Sequence, residues 1–240
     1  MGTDYARQIN AQLPIVRDAE VNRYVGLLGD SIARAAGGTG LDWQFYVVDS
    51  KEVNAFAVPG GFIYVNRGLI ERTTKMSQLA GVLGHEIGHV IERHSVKQME
   101  AANRTNVGLT VGCILTGVCG NDAVNAGVNV AGTLMFAKFG RDDEREADRV
   151  GFEYLVRAGI DPRGIPEMFR ILVEERNRRP DAVSGWFSTH PMEEERIERA
   201  EAMIAELDPA TLRGLTSDTQ RYQSFRRRLA GLPVTKAPSR

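Results

Sequence analysis

The chain is 240 residues long, 42% hydrophobic and 25% charged, with a formal net charge of −1. These values describe an ordinary globular protein with enough length to bury a sizeable core, and they give no electrostatic argument for a nucleic-acid partner, so none is expected. The N-terminus shows neither a basic start nor an apolar run, so no signal peptide is read there, which leaves export open.

In chain order, Ile9, Leu13, Val16, Val21, Tyr24, Val25, Leu28 and Ile32 recur at mostly helical spacing, broken near Pro14. They predict one or two amphipathic helices ending at Gly37-Gly38. Trp43–Val48 is aromatic and β-branched and reads as a strand. Val53–Val58 reads as a second strand, stopped by Pro59-Gly60-Gly61, and Phe62–Val65 as a third, paired with it in a hairpin. Asn54, Ala55, Phe56 and Ala57 then fit two readings. They are an edge strand able to bind an extended peptide by strand addition, or part of an ordinary core hairpin.

Asn66–Thr74 leads into Leu79–His94, which contains His85-Glu86-Ile87-Gly88-His89. Leu79, Val82, Leu83, Ile87, Val90 and Ile91 recur at helical intervals, which predicts a largely buried helix. Residues four apart share a helix face, so both imidazoles can point at one atom. Two neutral imidazoles at that spacing suit zinc, and Glu86 between them can reach a water held by the ion. Gly81, Gly84 and Gly88 each cost about 1 kcal/mol against alanine in a helix, which implies that another backbone or a substrate passes close by.

Residues 103–139 are Gly-rich and weakly patterned, read either as a lid over a cleft or as a loosely packed helical pair. They include the longest charge-free run, 105–121, which is too polar to favour a membrane span. They also include Cys113 and Cys119, which lack zinc-knuckle spacing and are equally a small disulfide loop or two buried thiols.

Arg141–Ala158 predicts another helix, with Ala147, Val150, Gly151, Tyr154, Leu155 and Ala158 as its apolar stripe. Extended backwards, that stripe passes through Asp148 and Glu144. Two carboxylates on a core face need positive partners. Glu144 as a third metal ligand and Asp148 as partner to a ligand histidine would supply the reason. A frayed first turn whose acids favour the helix dipole is the competing reading. His190, read from the residues alone, is an ordinary cap or packed histidine beside a Met192–Leu207 helix that starts after Pro191.

The combination of His85-Glu86-Ile87-Gly88-His89 with Glu144, Ala147, Asp148 and Gly151 resembles the HtpX and CAAX-prenyl-endopeptidase family of zinc metallopeptidases. Asn54 through Gly61 looks like that family's segment before the helix. So does Ser188-Thr189-His190-Pro191 with Arg196 after it. The likeness runs from the first helices to about residue 207 and is greatest to the soluble, exported bacterial branch.

The resemblance implies an α+β, mainly helical, zincin-like fold with a small sheet packed on the active-site helix. It implies one Zn2+ per chain on His85, His89 and Glu144, with Glu86 as catalytic acid and base and Asp148 orienting a ligand. His190 would lie over the metal, either stabilising the transition state or serving as a fourth ligand in a latent state, and Arg196 would help to hold the oxyanion. His94 matches no ligand position and lies about 140° round a continued helix from His89, so it is read as structural.

The expected domain is residues 1–207, followed by a helical extension and basic tail over 208–240. The expected activity is endoproteolysis of unfolded or misassembled polypeptides, with a zinc-binding chaperone or scaffold as the alternative. The resemblance also implies the bacterial periplasm or a membrane-associated site, with peripheral association with membrane or outer-membrane proteins.

Overall fold

A computed structural model of the chain describes residues 2–37, 40–104, 138–191 and 194–235. The N-terminal amphipathic stretch forms two helices, α1 (Gly2–Asn10) and α2 (Ala19–Ala35), separated at Pro14. Asp18 caps α2 by accepting from the Val21 backbone N–H at 3.0 Å.

Three short strands follow: β1 (Gln44–Val48), β2 (Ala55–Val58) and β3 (Phe62–Asn66). β3 is central, parallel to β1 and antiparallel to β2, with Phe56 opposite Tyr64 and Ala57 opposite Ile63. The pleat divides the strands between two layers. Phe56, Val58 and Tyr64 pack with Ile9 of α1, whereas Ala55, Ile63 and Val65 enter the main core. β2 is an outer strand of the sheet.

A short helix missing from the sequence reading, α3 (Arg67–Arg72), turns the chain into α4 (Met76–Ile91). Every residue of α4 from Met76 to His89 is buried. Its first turn is fastened from outside the helix: Asp218 Oδ1 accepts from the Met76 N–H at 3.0 Å. Gln78 Oε1 accepts from the Thr74 N–H at 2.7 Å. Helix α5 (His94–Arg104) follows a break in the helix, where Arg93 adopts φ 58°.

The predicted charged helix is α6 (Arg141–Arg157), packed directly on α4. The glycines make that approach close. A Cβ on Gly151 would lie 3.0 Å from the Gly84 carbonyl carbon and 3.1 Å from the His85 nitrogen. The loss of helix propensity at Gly84 and Gly151 is thus offset by main-chain contact between the two helices.

Residues that the hydrophobic pattern did not single out form α7 (Gly164–Arg178) and α8 (Pro180–Thr189) around the same core. Helix α9 (Glu194–Ala205) follows. The expected helical extension over 208–240 holds two helices among its described residues, α10 (Pro209–Arg213) and α11 (Gln220–Gly231). Tyr222, Phe225 and Leu229 of α11 belong to the same core cluster as Leu79 and Leu83 of α4. At about 1.5–3 kcal/mol per buried side chain, their removal takes away much of a typical folding free energy. A chain ended at Leu207 is therefore expected to lose its cooperative thermal transition, which calorimetry would read.

The fold is thus mainly helical with a small mixed sheet. No helix among the described residues is long and apolar enough to cross a membrane. Apart from its ends, the 103–139 segment lies outside the described residues, as do Cys113 and Cys119.

Candidate metal centre

Four buried residues from three places in the chain converge: His85 and His89 on α4, Glu144 on α6, and His190. His190 lies just before Pro191, the residue that suits the first turn of the following helix. It ends α8, where its N–H donates to the Trp186 carbonyl at 2.8 Å. Its ring packs beside Trp186, with centroids 4.6 Å apart.

The ligand atoms lie close together. His85 Nε2 is 3.0 Å from His89 Nε2 and 3.2 Å from His190 Nδ1. Glu144 offers Oε1 at 3.3 Å from His89 Nε2 and 3.0 Å from His190 Nδ1, and Oε2 at 3.5 Å from His85 Nε2. Zinc bonds of about 2.0–2.1 Å in a tetrahedral site put neighbouring ligand atoms roughly 3.3 Å apart. The separations and the donor types therefore fit one Zn2+ per chain.

Electrostatics agree with that fit. Burial, then His85, holds His89 well below the usual imidazole range, which keeps it neutral. Burial raises the pKa of Glu144, but His190, His85 and Arg196 together outweigh it and hold the carboxyl well below its usual range. A neutral imidazole and an ionised carboxylate are the states that a zinc ligand requires. His190 goes the other way: burial lowers its pKa, but Glu144 and Glu86 win and raise it.

Around these four, Asp148 Oδ1 accepts from His85 Nδ1 at 2.9 Å, which leaves Nε2 as the ligand atom. Arg196, on α9, donates from Nε to Asp148 Oδ2 and from Nη2 to Asp148 Oδ1, both at 2.7 Å. Its Nη1 donates to Glu144 Oε2 at 2.5 Å and to the Pro191 carbonyl at 3.1 Å. The guanidinium expected at an oxyanion is thus engaged by two carboxylates. The Glu86 carboxyl is buried beside His190, whose Nε2 is 3.4 Å from Glu86 Oε1. That oxygen makes no hydrogen bond among the described residues. Burial raises the Glu86 pKa despite the nearby histidines.

Asn54, Ala55, Phe56 and Ala57 lie on or beside β2, which packs along α4. Asn54, Ala55 and Phe56 have buried side chains. Ala57 and His89 line one small crevice at the end of the strand.

Two neighbours of the site carry no signal in the sequence, and a third, His94, lies closer than its spacing implies. Phe139 stacks on the His89 ring with centroids 3.9 Å apart, and Trp186 flanks His190. His94 Nδ1 lies 2.9 Å from His89 Nδ1. The 140° that separates them on a continuous helix does not apply, because α4 ends at Ile91 and the backbone reverses at Arg93.

Comparison with known proteins gives the cluster its context. The chain is 32% identical over 241 aligned positions to the beta-barrel assembly-enhancing protease of Yersinia pestis, covering 97% of this chain and 48% of that protein. It is 32% identical over 218 positions to the protein of the same name from Escherichia coli K12, covering 87% and 44%. It is 28% identical over 181 positions to the metalloprotease LoiP of Escherichia coli K12, covering 75% and 69%. The chain thus spans about half the length of the two assembly-enhancing proteases. Residues 19–204, from α2 to the end of α9, match the pattern of peptidase family M48. With that match over most of its length and a buried His-His-Glu-His cluster that fits zinc, the chain belongs to peptidase family M48.

Proposed function

We propose that the protein is a zinc-dependent endopeptidase acting on polypeptides, with His85, His89 and Glu144 as the ligands and Glu86 as general base and acid. The observation that carries this is the buried Glu86 carboxylate, with one oxygen unbonded, beside a four-residue cluster of zinc-ligand geometry. When bound, zinc polarises the scissile carbonyl and lowers the pKa of a water towards about 7. Glu86 takes that water's proton and delivers it to the departing amine, a role suited to a carboxylate whose pKa burial has raised. Asp148 fixes the His85 tautomer, and Arg196 holds Asp148 and Glu144 in place.

His190 is assigned one of two places. With Nδ1 3.0 Å from Glu144 and 3.2 Å from His85, it closes the resting site as a fourth ligand. The alternative place, as donor to the oxyanion in the transition state, predicts the opposite response to its removal. Replacing His190 with Ala is expected to weaken zinc binding and to open the site, so that activity is kept or raised. A loss of activity at full zinc occupancy would leave His190 as transition-state stabiliser alone.

Substrate is proposed to add as a strand to β2. Asn66 N–H bonds the Asn54 carbonyl, so antiparallel alternation turns the N–H and C=O of Ala55 and Ala57 to the outer edge. Proline at position 57 removes one such donor. It is expected to lower kcat/KM up to about tenfold, the value of roughly one backbone hydrogen bond, without altering zinc affinity. Equal kcat/KM in the two proteins would remove β2 from the substrate path.

The names of the assembly-enhancing proteases support substrates among unfolded or misassembled outer-membrane proteins. A periplasmic location with peripheral membrane association is proposed with them. The direct test is cleavage of denatured casein, without detergent, by zinc-loaded protein, abolished by chelation and restored by zinc. Stoichiometric zinc without cleavage would turn the reading to a zinc-binding chaperone or scaffold.

A further inference from the structure

The two histidines of α4 are supported in different ways. His85 donates its Nδ1–H straight to the buried Asp148 carboxylate. His89 must also carry its proton on Nδ1 if Nε2 is to face zinc, and that proton needs an acceptor. Buried under the Phe139 ring, His89 has one partner for Nδ1 among the described residues: His94 Nδ1, at 2.9 Å.

The assignment of protons follows. His94 accepts at Nδ1, so its own proton sits on Nε2, which lies 3.1 Å from Glu146 Oε2. Asp143, at 3.8 Å from the same nitrogen, is too far for a hydrogen bond. The His94 side chain is fully buried, whereas that of Glu146 is 39% exposed. Two hydrogen bonds thus join a carboxylate at the surface to a metal ligand in the core. A left-handed residue makes the arrangement: Arg93, at φ 58°, breaks α4 and swings His94 back onto the ring it follows.

We infer that His94 is a positioning residue for the zinc site, fixing the tautomer and ring plane of His89 through a Glu146–His94–His89 relay. The inference rests on the zinc reading of the site. It gives His94 a task beyond filling space, the role that spacing along the sequence suggested. It also predicts that the relay raises the basicity of the His89 ligand nitrogen, since negative charge at Glu146 polarises both hydrogen bonds towards it.

The test is zinc affinity measured by chelator competition at one pH, alongside the thermal midpoint of the metal-free protein. His94→Ala is expected to weaken zinc binding by about tenfold or more, the usual loss when a ligand histidine is deprived of its partner. His94→Asn places Oδ1 where Nδ1 was and keeps an acceptor for His89. It is expected to recover most of the affinity, although Asn and Ala both leave a gap where the ring stood. A loss smaller than tenfold in the alanine variant, or equal losses in the two variants, would overturn the proposal in favour of packing alone. If the alanine variant does not fold, Glu146→Ala decides at a half-exposed position: weaker zinc binding is expected, and unchanged affinity overturns the relay. Wild-type protein that takes up no zinc would instead overturn the metal site itself.

Discussion

Replacing Glu86 with glutamine is expected to reduce casein hydrolysis by roughly 10²–10⁴-fold, the contribution of a positioned general base, while zinc content stays the same. The substitution keeps the shape of the side chain in a fully buried position and leaves His85, His89 and Glu144 untouched. It removes only the ability to take and return a proton. Stability should not suffer, because a buried carboxylate with an unbonded oxygen gives way to a neutral amide.

A pH signature accompanies this. Burial raises the Glu86 pKa, so the native chain binds that proton more tightly than the unfolded chain does. The associated stability is present below the ordinary glutamate value and is lost as pH rises towards the raised one. Urea titrations of the metal-free proteins should therefore show Glu86→Gln gaining on the wild type as pH increases through that window. Undiminished hydrolysis by the zinc-loaded variant would remove Glu86 from the reaction.

Arg196→Ala is expected to have the largest effect on folding. The guanidinium is 2% exposed, holds Asp148 through two parallel bonds, reaches Glu144 and lies over the Phe169 ring. Truncation leaves two buried carboxylates one turn apart on the same face of α6. Breaking a buried pair in this way costs about 3–5 kcal/mol. For a chain of this size that is a fall in thermal midpoint of roughly 10 °C or more.

Lysine should not rescue it, because one ammonium cannot reproduce a planar fork shared between two acids. Zinc should narrow the deficit, since the ion takes up the charge of Glu144. A midpoint within a degree or two of wild type, with and without zinc, would show that Arg196 does not balance these acids.

Helical periodicity carried much of the site in advance. The period of Arg141–Ala158 places Glu144 and Asp148 on the buried face with no knowledge of their partners, and both are buried. The spacing of His85 and His89 does the same on α4. What periodicity cannot supply is how segments far apart in the chain meet. Nothing in the residues around Arg196 announces its pairing with Glu144 and Asp148, which depends on α9 lying beside α6. His190 reads as an ordinary cap or packed histidine until α8, which it ends, brings it against His85 and Glu144. His94 was placed by continuing a helix that stops at Ile91, and nothing in the letters around Arg93 announces a left-handed residue. Phe139 and Trp186 have aromatic side chains of ordinary core type, so only their tertiary positions against His89 and His190 distinguish them.

The contact between Gly84 and Gly151 has a bearing on how the metal is taken up. Two histidines of the cluster ride on one of these helices and its glutamate on the other, and the helices meet main chain against main chain. The gap between His89 and Glu144 is therefore fixed by peptide units that cannot change rotamer or yield like a side chain. Zinc enters a cage whose dimensions already exist, unlike small zinc modules whose chain orders only when the metal binds. Removing the ion should leave a folded, silent protein that regains activity on simple addition of metal, without a refolding step.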